Sequence, residues 1–460
     1  MTITPNRQWA LIAGPLLSLA IVVGMNQSGW ETQACWAAAV AILCVVWWIF
    51  EPIPIPATSI IPLAIFPLMG VLPQEKISTA YGSELILLML GGFMISAAME
   101  RSGAHHRIAL GMINLVGGTS SRRIVLGFMV ATAALSMWIS NTATTLMMLP
   151  IALAVIAQSP DKKLALPLLL SIAYGSSIGG LGTPIGTPPN LVFMQQYEKF
   201  TGTAVSFTQW MSWGLPTVLL FVPLAGLWLT RKLDYRGKLI IPPTGDWRSE
   251  ERRVLIVFGF AALAWITRLE PFGGWSTWLD LKGANDAIVA LIAVVIMFLI
   301  PNGRGGKLLD WKSAERVPWG ILILFAAGIA IAQAFVESGL SSAIGDQLAI
   351  LASLHPLLII AIVALIVTFL TETTSNTATT ILLMPILAPA ALAAGIDPSL
   401  LMIPAAMSAS CAFMLPVATA PNAIVFGSGH VTVATMVREG LALNFIGVVV
   451  ITLVCYFLVL

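Results

Sequence analysis

Charge is what this chain of 460 residues has least of: Lys and Arg number 23, Asp and Glu 21, together 10% of the sequence against 58% hydrophobic. Soluble domains carry nearer a quarter charged residues, so an ordinary aqueous fold is excluded and the chain has to live in lipid. The formal net charge is only +2, and its basic residues are scattered along connecting stretches, which excludes a nucleic-acid surface. Alternating apolar and polar strands of about ten residues are missing too, leaving helices rather than an outer-membrane barrel as the way across. Cysteine is sparse: Cys35, Cys44, Cys411 and Cys455 stand in or beside apolar runs without paired or metal-ligand spacing and read as packing residues. No His, Asp and Glu cluster and no nucleophile with a base appears in the spans, which argues against a membrane enzyme. Nor does an Ala-x-Ala-like site close the first apolar run, so Trp9 to Gly24 is kept as a spanning helix.

What is present is a series of apolar blocks near spanning length, roughly 20 residues for a helix. The expected fold is an all-α polytopic membrane protein with about 11 transmembrane helices. These fall near 9–24, 33–50, 55–72, 84–101, 164–181, 209–230, 254–269, 286–301, 319–337, 399–414 and 439–459. Two further segments, 122–157 and 355–394, are apolar runs interrupted near the centre by a polar string. Each has the length of two half-crossings, so each is expected to be a re-entrant helical hairpin.

Loop charge tests that map through the positive-inside rule. With the N-terminus cytoplasmic and both hairpins returning to their own side, Arg101, Arg107, Arg122, Arg123, Lys162, Lys163, the basic stretch 231–253, Arg304, Lys307, Lys312, Arg316 and Arg438 lie inside, with Arg7. Only Lys76, Lys199, Arg268 and Lys282 fall outside. A full crossing at 122–157 would move Lys162 and Lys163 out and invert the basic stretch downstream. The C-terminus is then expected outside and the protein in the inner (plasma) membrane.

The halves of the chain repeat. Gly92 to Gly103 resembles Gly328 to Gly339, Ser140 to Thr145 matches Ser375 to Thr380 as Ser-Asn-Thr-Ala-Thr-Thr, and Thr183 to Asn190 finds its counterpart in Leu415 to Asn422. The landmarks recur in the same order at similar distances. An odd number of crossings between the copies makes the repeat inverted, a construction with which secondary carriers build a site near the bilayer midplane. The expected organisation is 1–83 as N-terminal scaffold helices and 84–230 as the first repeat, with its hairpin and a broken helix 164–197. Residues 231–318 supply a cytoplasmic loop and further scaffold, and 319–460 the second repeat, with its hairpin and a broken helix 399–427.

Ser140, Asn141 and Thr142 precede a half-helix, and so do Ser375, Asn376 and Thr377. Caps of this composition are ordinary, but at mid-membrane depth they turn free backbone N–H groups and a positive helix end toward a polar cavity, where an anion fits. Two such ends suit a two-ended anion and do not exclude sulfate. No Arg or Lys lies in the tips, so mobile cations have to compensate a dianion, since one charge at mid-bilayer costs about 2.5 to 3.5 kcal/mol or more. The strings 186–190 and 418–422 break helices, because proline removes a donor and frees carbonyls. Each break facing a tip offers a sodium site, two in all. An anion channel using the same helix ends is the rival reading.

The paired Ser-Asn-Thr strings, the Pro-Pro-Asn and Ala-Pro-Asn breaks and the early Glu51-Pro52-Ile53-Pro54-Ile55-Pro56 resemble the divalent anion/sodium symporter family over nearly the whole chain. Members carry succinate, malate, fumarate, citrate or, in one branch, sulfate, and some are sodium-independent exchangers. The resemblance implies substrate contacts from Ser140, Asn141, Thr142, Thr187, Ser375, Asn376, Thr377 and Thr419. It implies sodium ligation by Ser136, Ser140, Asn141 and Gly186 at one site and by Thr371, Asn376 and Ala418 at the other. It also implies a homodimer whose scaffold stays fixed while the hairpins move as a rigid body, an elevator. Outside this set, His105 and His106 read as solvated interfacial residues and Glu372 as a group orienting the second hairpin. Trp47, Trp48, Trp210, Trp213, Trp275 and Trp278 read as an interfacial belt.

Overall fold

The computed structural model describes residues 5–116, 120–237, 245–269, 273–281, 283–341, 343 and 355–460. Lys238 and Lys282 of the loop-charge count lie outside the described residues, as does the side chain of Arg7. Every regular element among the described residues is helical. The chain opens with α1 (Pro5–Gln27), α2 (Thr32–Phe50), two short pieces α3 (Ile55–Thr58) and α4 (Ile61–Leu68), α5 (Gln74–Tyr81), α6 (Glu84–Ser102) and the amphipathic α7 (Ala104–Val116). Then come α8 (Ser121–Ser136), α9 (Asn141–Gln158), α10 (Ala165–Gly179), α11 (Pro188–Thr201) and α12 (Phe207–Thr230). After the basic stretch follow α13 (Ser249–Ile266), α14 (Gly274–Trp278), α15 (Asp286–Leu299), α16 (Trp311–Ala314) and α17 (Trp319–Glu337). The last set is α18 (Pro356–Thr371), α19 (Asn376–Ala393), α20 (Ser399–Ser408), α21 (Ala420–Phe426) and α22 (Val433–Leu458).

Among the described residues nine stretches are long and apolar enough to cross a membrane. Seven coincide with expected spans; the other two, Asn141–Gln158 and Asn376–Ala393, are the second arms of the expected hairpins. The remaining expected spans are shorter or more polar. Segment 55–72 is not one helix: Pro62 and Pro67 limit the donors, and the chain breaks at Ser59, pinned by Trp48 Nε1 on its Oγ (3.1 Å) and Tyr81 Oη on its carbonyl (2.7 Å). Segment 399–414 stops being helical at Ser408, 286–301 shortens to α15, and the first turn of α13 is charged.

Burial separates the centre from the rim. Only 11% of the apolar stretch in α1 is made of buried residues, whereas 83% of Ala165–Gly182 is, and that segment forms the hub. Its Gly175 and Gly179 face α8, where a Cβ on Gly179 would lie 2.2 Å from the Ala133 carbonyl oxygen, so the two helices touch through backbone. The hairpins α8–α9 and α18–α19 each turn through four residues, 137–140 and 372–375. Each second arm crosses to the other half of the chain: α9 packs on α21 and α19 on α11. The two hairpins and two broken helices therefore interlock. On the other side, α6, α13 and α15 pack together, and α17 joins α2, α4 and α5.

The tryptophan belt fails at three positions. Trp48, Trp210 and Trp213 are buried, with Trp210 Nε1 donating to the Leu181 carbonyl at 2.9 Å inside the first helix break. His105 is buried as well, its Nδ1 2.9 Å from the Met99 carbonyl oxygen, in place of the solvated role expected for it. The four cysteines are free and buried.

Candidate functional site

The two hairpin turns are built alike. Ser136, the last residue of α8, donates from Oγ to Asn141 Oδ1 at 2.6 Å, and Thr371, the last residue of α18, has its Oγ1 2.8 Å from Asn376 Oδ1. One turn on, Thr145 Oγ1 donates to the Asn141 carbonyl and Thr380 Oγ1 to the Asn376 carbonyl, both at 2.8 Å. Each asparagine is thus the first helical residue of an 18-residue arm, with its amide held by the end of the preceding arm. Ser140 caps α9 by accepting from Ala143 N at 3.3 Å; Ser375 holds the same position but makes no side-chain cap bond. Cap residues leave the first backbone N–H groups of α9 and α19 without helical acceptors, at the positive end of each helix.

The turn of the second hairpin carries one element the first lacks. The carboxylate of Glu372 accepts from three consecutive backbone amides, Phe413 N (2.7 Å), Met414 N (2.9 Å) and Leu415 N (3.2 Å), and from Asn444 Nδ2 (2.9 Å). At the matching C-cap position of α8 stands Met137, whose carbonyl accepts from Thr183 Oγ1. The orienting role read from Glu372's place in the sequence thus has four donors behind it.

The helix breaks complete the constellation. In the first, a single 3₁₀ turn, Gly180–Gly182, follows α10, and the chain then reaches Thr187, the N-cap of α11. A Cβ on Gly180 would lie 2.9 Å from Asn141 Oδ1 and 3.1 Å from the Gly186 carbonyl oxygen, so those two oxygens converge on a spot that only glycine leaves open. In the second break Thr419 caps α21, accepting from Asn422 N at 3.2 Å while its own proton stays available.

Both turns and both breaks line one cavity of about 1170 Å³. All eight expected substrate residues, Ser140, Asn141, Thr142, Thr187, Ser375, Asn376, Thr377 and Thr419, are on its wall. Of the expected sodium ligands, Ser140, Asn141, Gly186, Asn376 and Ala418 are there too, while Ser136 and Thr371 stand behind it, fully buried. The donor set is neutral oxygen from hydroxyl, amide and backbone carbonyl, which suits a hard monovalent cation. Four charged residues that sequence reasoning used only for topology or motif also line the cavity: Glu51, Glu100, Arg101 and Arg316. Arg101 is paired with Asp310 at 2.8 Å. Gly180 was missed as well; its only signal is glycine at a helix break.

Comparison with known proteins agrees along the full length. A family model described as the sodium:sulfate symporter transmembrane region matches residues 6–460. The sodium-dependent dicarboxylate transporter SdcS of Staphylococcus aureus (strain MRSA252) is 40% identical over 474 residues, covering 97% of this chain and 90% of that protein. The SdcS of Staphylococcus saprophyticus is 40% identical over 475 residues, covering 98% and 91%. Among solved structures, the Alcanivorax borkumensis YdaH transporter has a TM-score of 0.62 at 15% identity, covering 85% of this chain and 88% of that one. Neisseria gonorrhoeae MtrF also has a TM-score of 0.62 at 15% identity, covering 85% and 84%. At that identity the likeness concerns the fold alone.

Proposed function

The chain belongs to the sodium:sulfate symporter family, and from that premise we propose that it imports C4-dicarboxylates such as succinate, malate and fumarate by sodium symport. One observation carries the reading: two Ser-Asn-Thr hairpin turns and two proline-broken helices, from opposite halves of the chain, meet in a single cavity. Each carboxylate of a two-ended anion takes one Ser-Asn-Thr turn, Ser140 to Thr142 or Ser375 to Thr377, with Thr187 and Thr419 adding hydroxyls. Each hydrogen bond to such a charged group contributes about 1.5 to 3 kcal/mol. Sodium at Ser136, Ser140, Asn141 and Gly186, and at Thr371, Asn376 and Ala418, offsets the dianion's two charges.

In this reading the hairpins α8–α9 and α18–α19 are re-entrant, the two repeats are inverted, and they move against the scaffold as an elevator within a homodimer. The cross-packing of α9 on α21 and of α19 on α11 supports a rigid moving body, because neither hairpin can shift without the other half's broken helix. The loop charges support a cytoplasmic N-terminus. Radiolabelled succinate uptake into proteoliposomes, with and without an inward sodium gradient, is the test; sodium-indifferent uptake refutes the coupling, uptake that then requires an anion inside the vesicles makes the protein an exchanger, and conductance without concentrative uptake makes it a channel. The family's description also names sulfate, so a competition panel of dicarboxylates, citrate and sulfate against labelled succinate ranks the anions.

A further inference from the structure

Each helix break is closed by the same side-chain device. Asn190, third residue of α11, donates through Nδ2 to the Gly180 carbonyl (2.9 Å) and to the Thr183 carbonyl (2.8 Å). Asn422, third residue of α21, donates through Nδ2 to the Ala412 carbonyl (3.0 Å) and to the Leu415 carbonyl (3.0 Å). Both asparagines are wholly buried, and the Oδ1 of each has no hydrogen-bond partner among the described residues. Inside each ring lies a tight turn, Gly186 N to Thr183 O at 3.3 Å and Ala418 N to Leu415 O at 3.2 Å.

We infer that Asn190 and Asn422 are positioning residues for the two sodium sites, each fixing the loop that presents the Gly186 or the Ala418 carbonyl. The inference rests on the sodium-symport reading. The choice of residue follows from donor chemistry: a neutral amide nitrogen offers two N–H groups, serine or threonine only one, and an aspartate carboxylate none. An unpaired buried acceptor is normally costly, yet both copies leave Oδ1 unpaired, so the side chain is kept for its donors. The two carbonyls it engages in each break lie at or beyond the end of the first half-helix and lack helical partners. The Thr183 and Leu415 carbonyls also accept the turn bond from Gly186 N or Ala418 N, which uses both of their lone pairs, so the carbonyl beyond the turn is the one left to ligate.

Asn190→Ala and Asn422→Ala, reconstituted as full-length protein, test this by the sodium concentration giving half-maximal succinate uptake. Melting temperature in choline buffer is measured alongside. Each variant is expected to melt a few degrees lower in choline but remain folded, to need on the order of tenfold more sodium, and to keep at least half the maximal rate at saturating sodium. Unchanged half-saturating sodium in both variants overturns the inference. So does loss of the folded protein in both, which assigns the clamps to folding, or a fall in maximal rate alone, which assigns them to a step other than sodium binding. Wild-type uptake indifferent to sodium refutes the symport reading itself, independently of the variants.

Discussion

Adding one methyl group at Gly180 is expected to raise the sodium requirement of uptake roughly five- to hundredfold without unfolding the protein. The new Cβ would lie 2.9 Å from Asn141 Oδ1, 3.1 Å from the Gly186 carbonyl oxygen and 3.1 Å from Thr187 Cβ. Ordinary carbon-to-oxygen approach is about 3.3 Å or more, so Asn141 Oδ1 has to retreat by roughly 0.4 Å. It is held in place by Ser136 Oγ at 2.6 Å. Overpacking of this kind costs about 1 to 3 kcal/mol, and since the strain falls on two proposed sodium ligands, it appears in sodium affinity at about tenfold per 1.4 kcal/mol. The second repeat supplies the control, because Ala412 at the matching position already carries the methyl, and Ala412→Gly is expected to leave sodium dependence within about twofold on the same scale. Succinate uptake by Gly180→Ala proteoliposomes across a sodium series, with choline replacing sodium, is the assay. A wild-type sodium curve in that variant would refute the claim that Asn141 and Gly186 share a cation.

Asn141→Ala and Asn376→Ala are each expected to abolish sodium-dependent uptake while leaving a monodisperse folded protein by size exclusion; near-normal uptake by both removes the two-turn site. Glu372→Ala strands the amides of Phe413, which is buried, and of Met414 and Leu415, which are half-buried, at up to about 1 to 3 kcal/mol for a buried one. It should therefore lower the melting temperature far more than Glu372→Gln, which keeps an acceptor; equal losses in the two variants would mean that the charge, and not the hydrogen bonds, holds the linker. Gly179→Val drives side-chain atoms into the Ala133 backbone, whose atoms begin 2.2 Å from an added Cβ, and is expected to eliminate folded protein. Recovery of normal yield in that variant would show that α8 and α10 can separate.

The paired motifs were the most legible part of the site, because their chemistry is local. Ser-Asn-Thr before an apolar arm marks a helix start in both copies, and the turns 137–140 and 372–375 fall where the polar strings interrupt the two apolar runs. The walls of the cavity were not legible in the same way. Arg101 and Arg316 look in sequence like any loop cations and His105 like a solvated ring, and behind the walls Trp210 looks like an interfacial one. Their places depend on which helices come together, and that is a long-range matter of packing. The break at Ser59 was missed because an apolar run with prolines can be either one kinked helix or two short ones. Trp48 and Tyr81, distant in sequence, decide between them.

The sequence by itself determined that the chain is helical and membrane-embedded, that it is duplicated, and that both copies carry a cap and a break. Composition, hydropathy and repetition are additive along a chain and need no coordinates. Only the tertiary structure decided that the two turns and two breaks share one cavity, that the second arm of each hairpin packs on the opposite half, and that Gly180, Asn190 and Asn422 stand between the helix ends and the oxygens beside them. Those facts depend on backbone atoms being placed to within a few tenths of an ångström, and close approach is a property of the assembled fold.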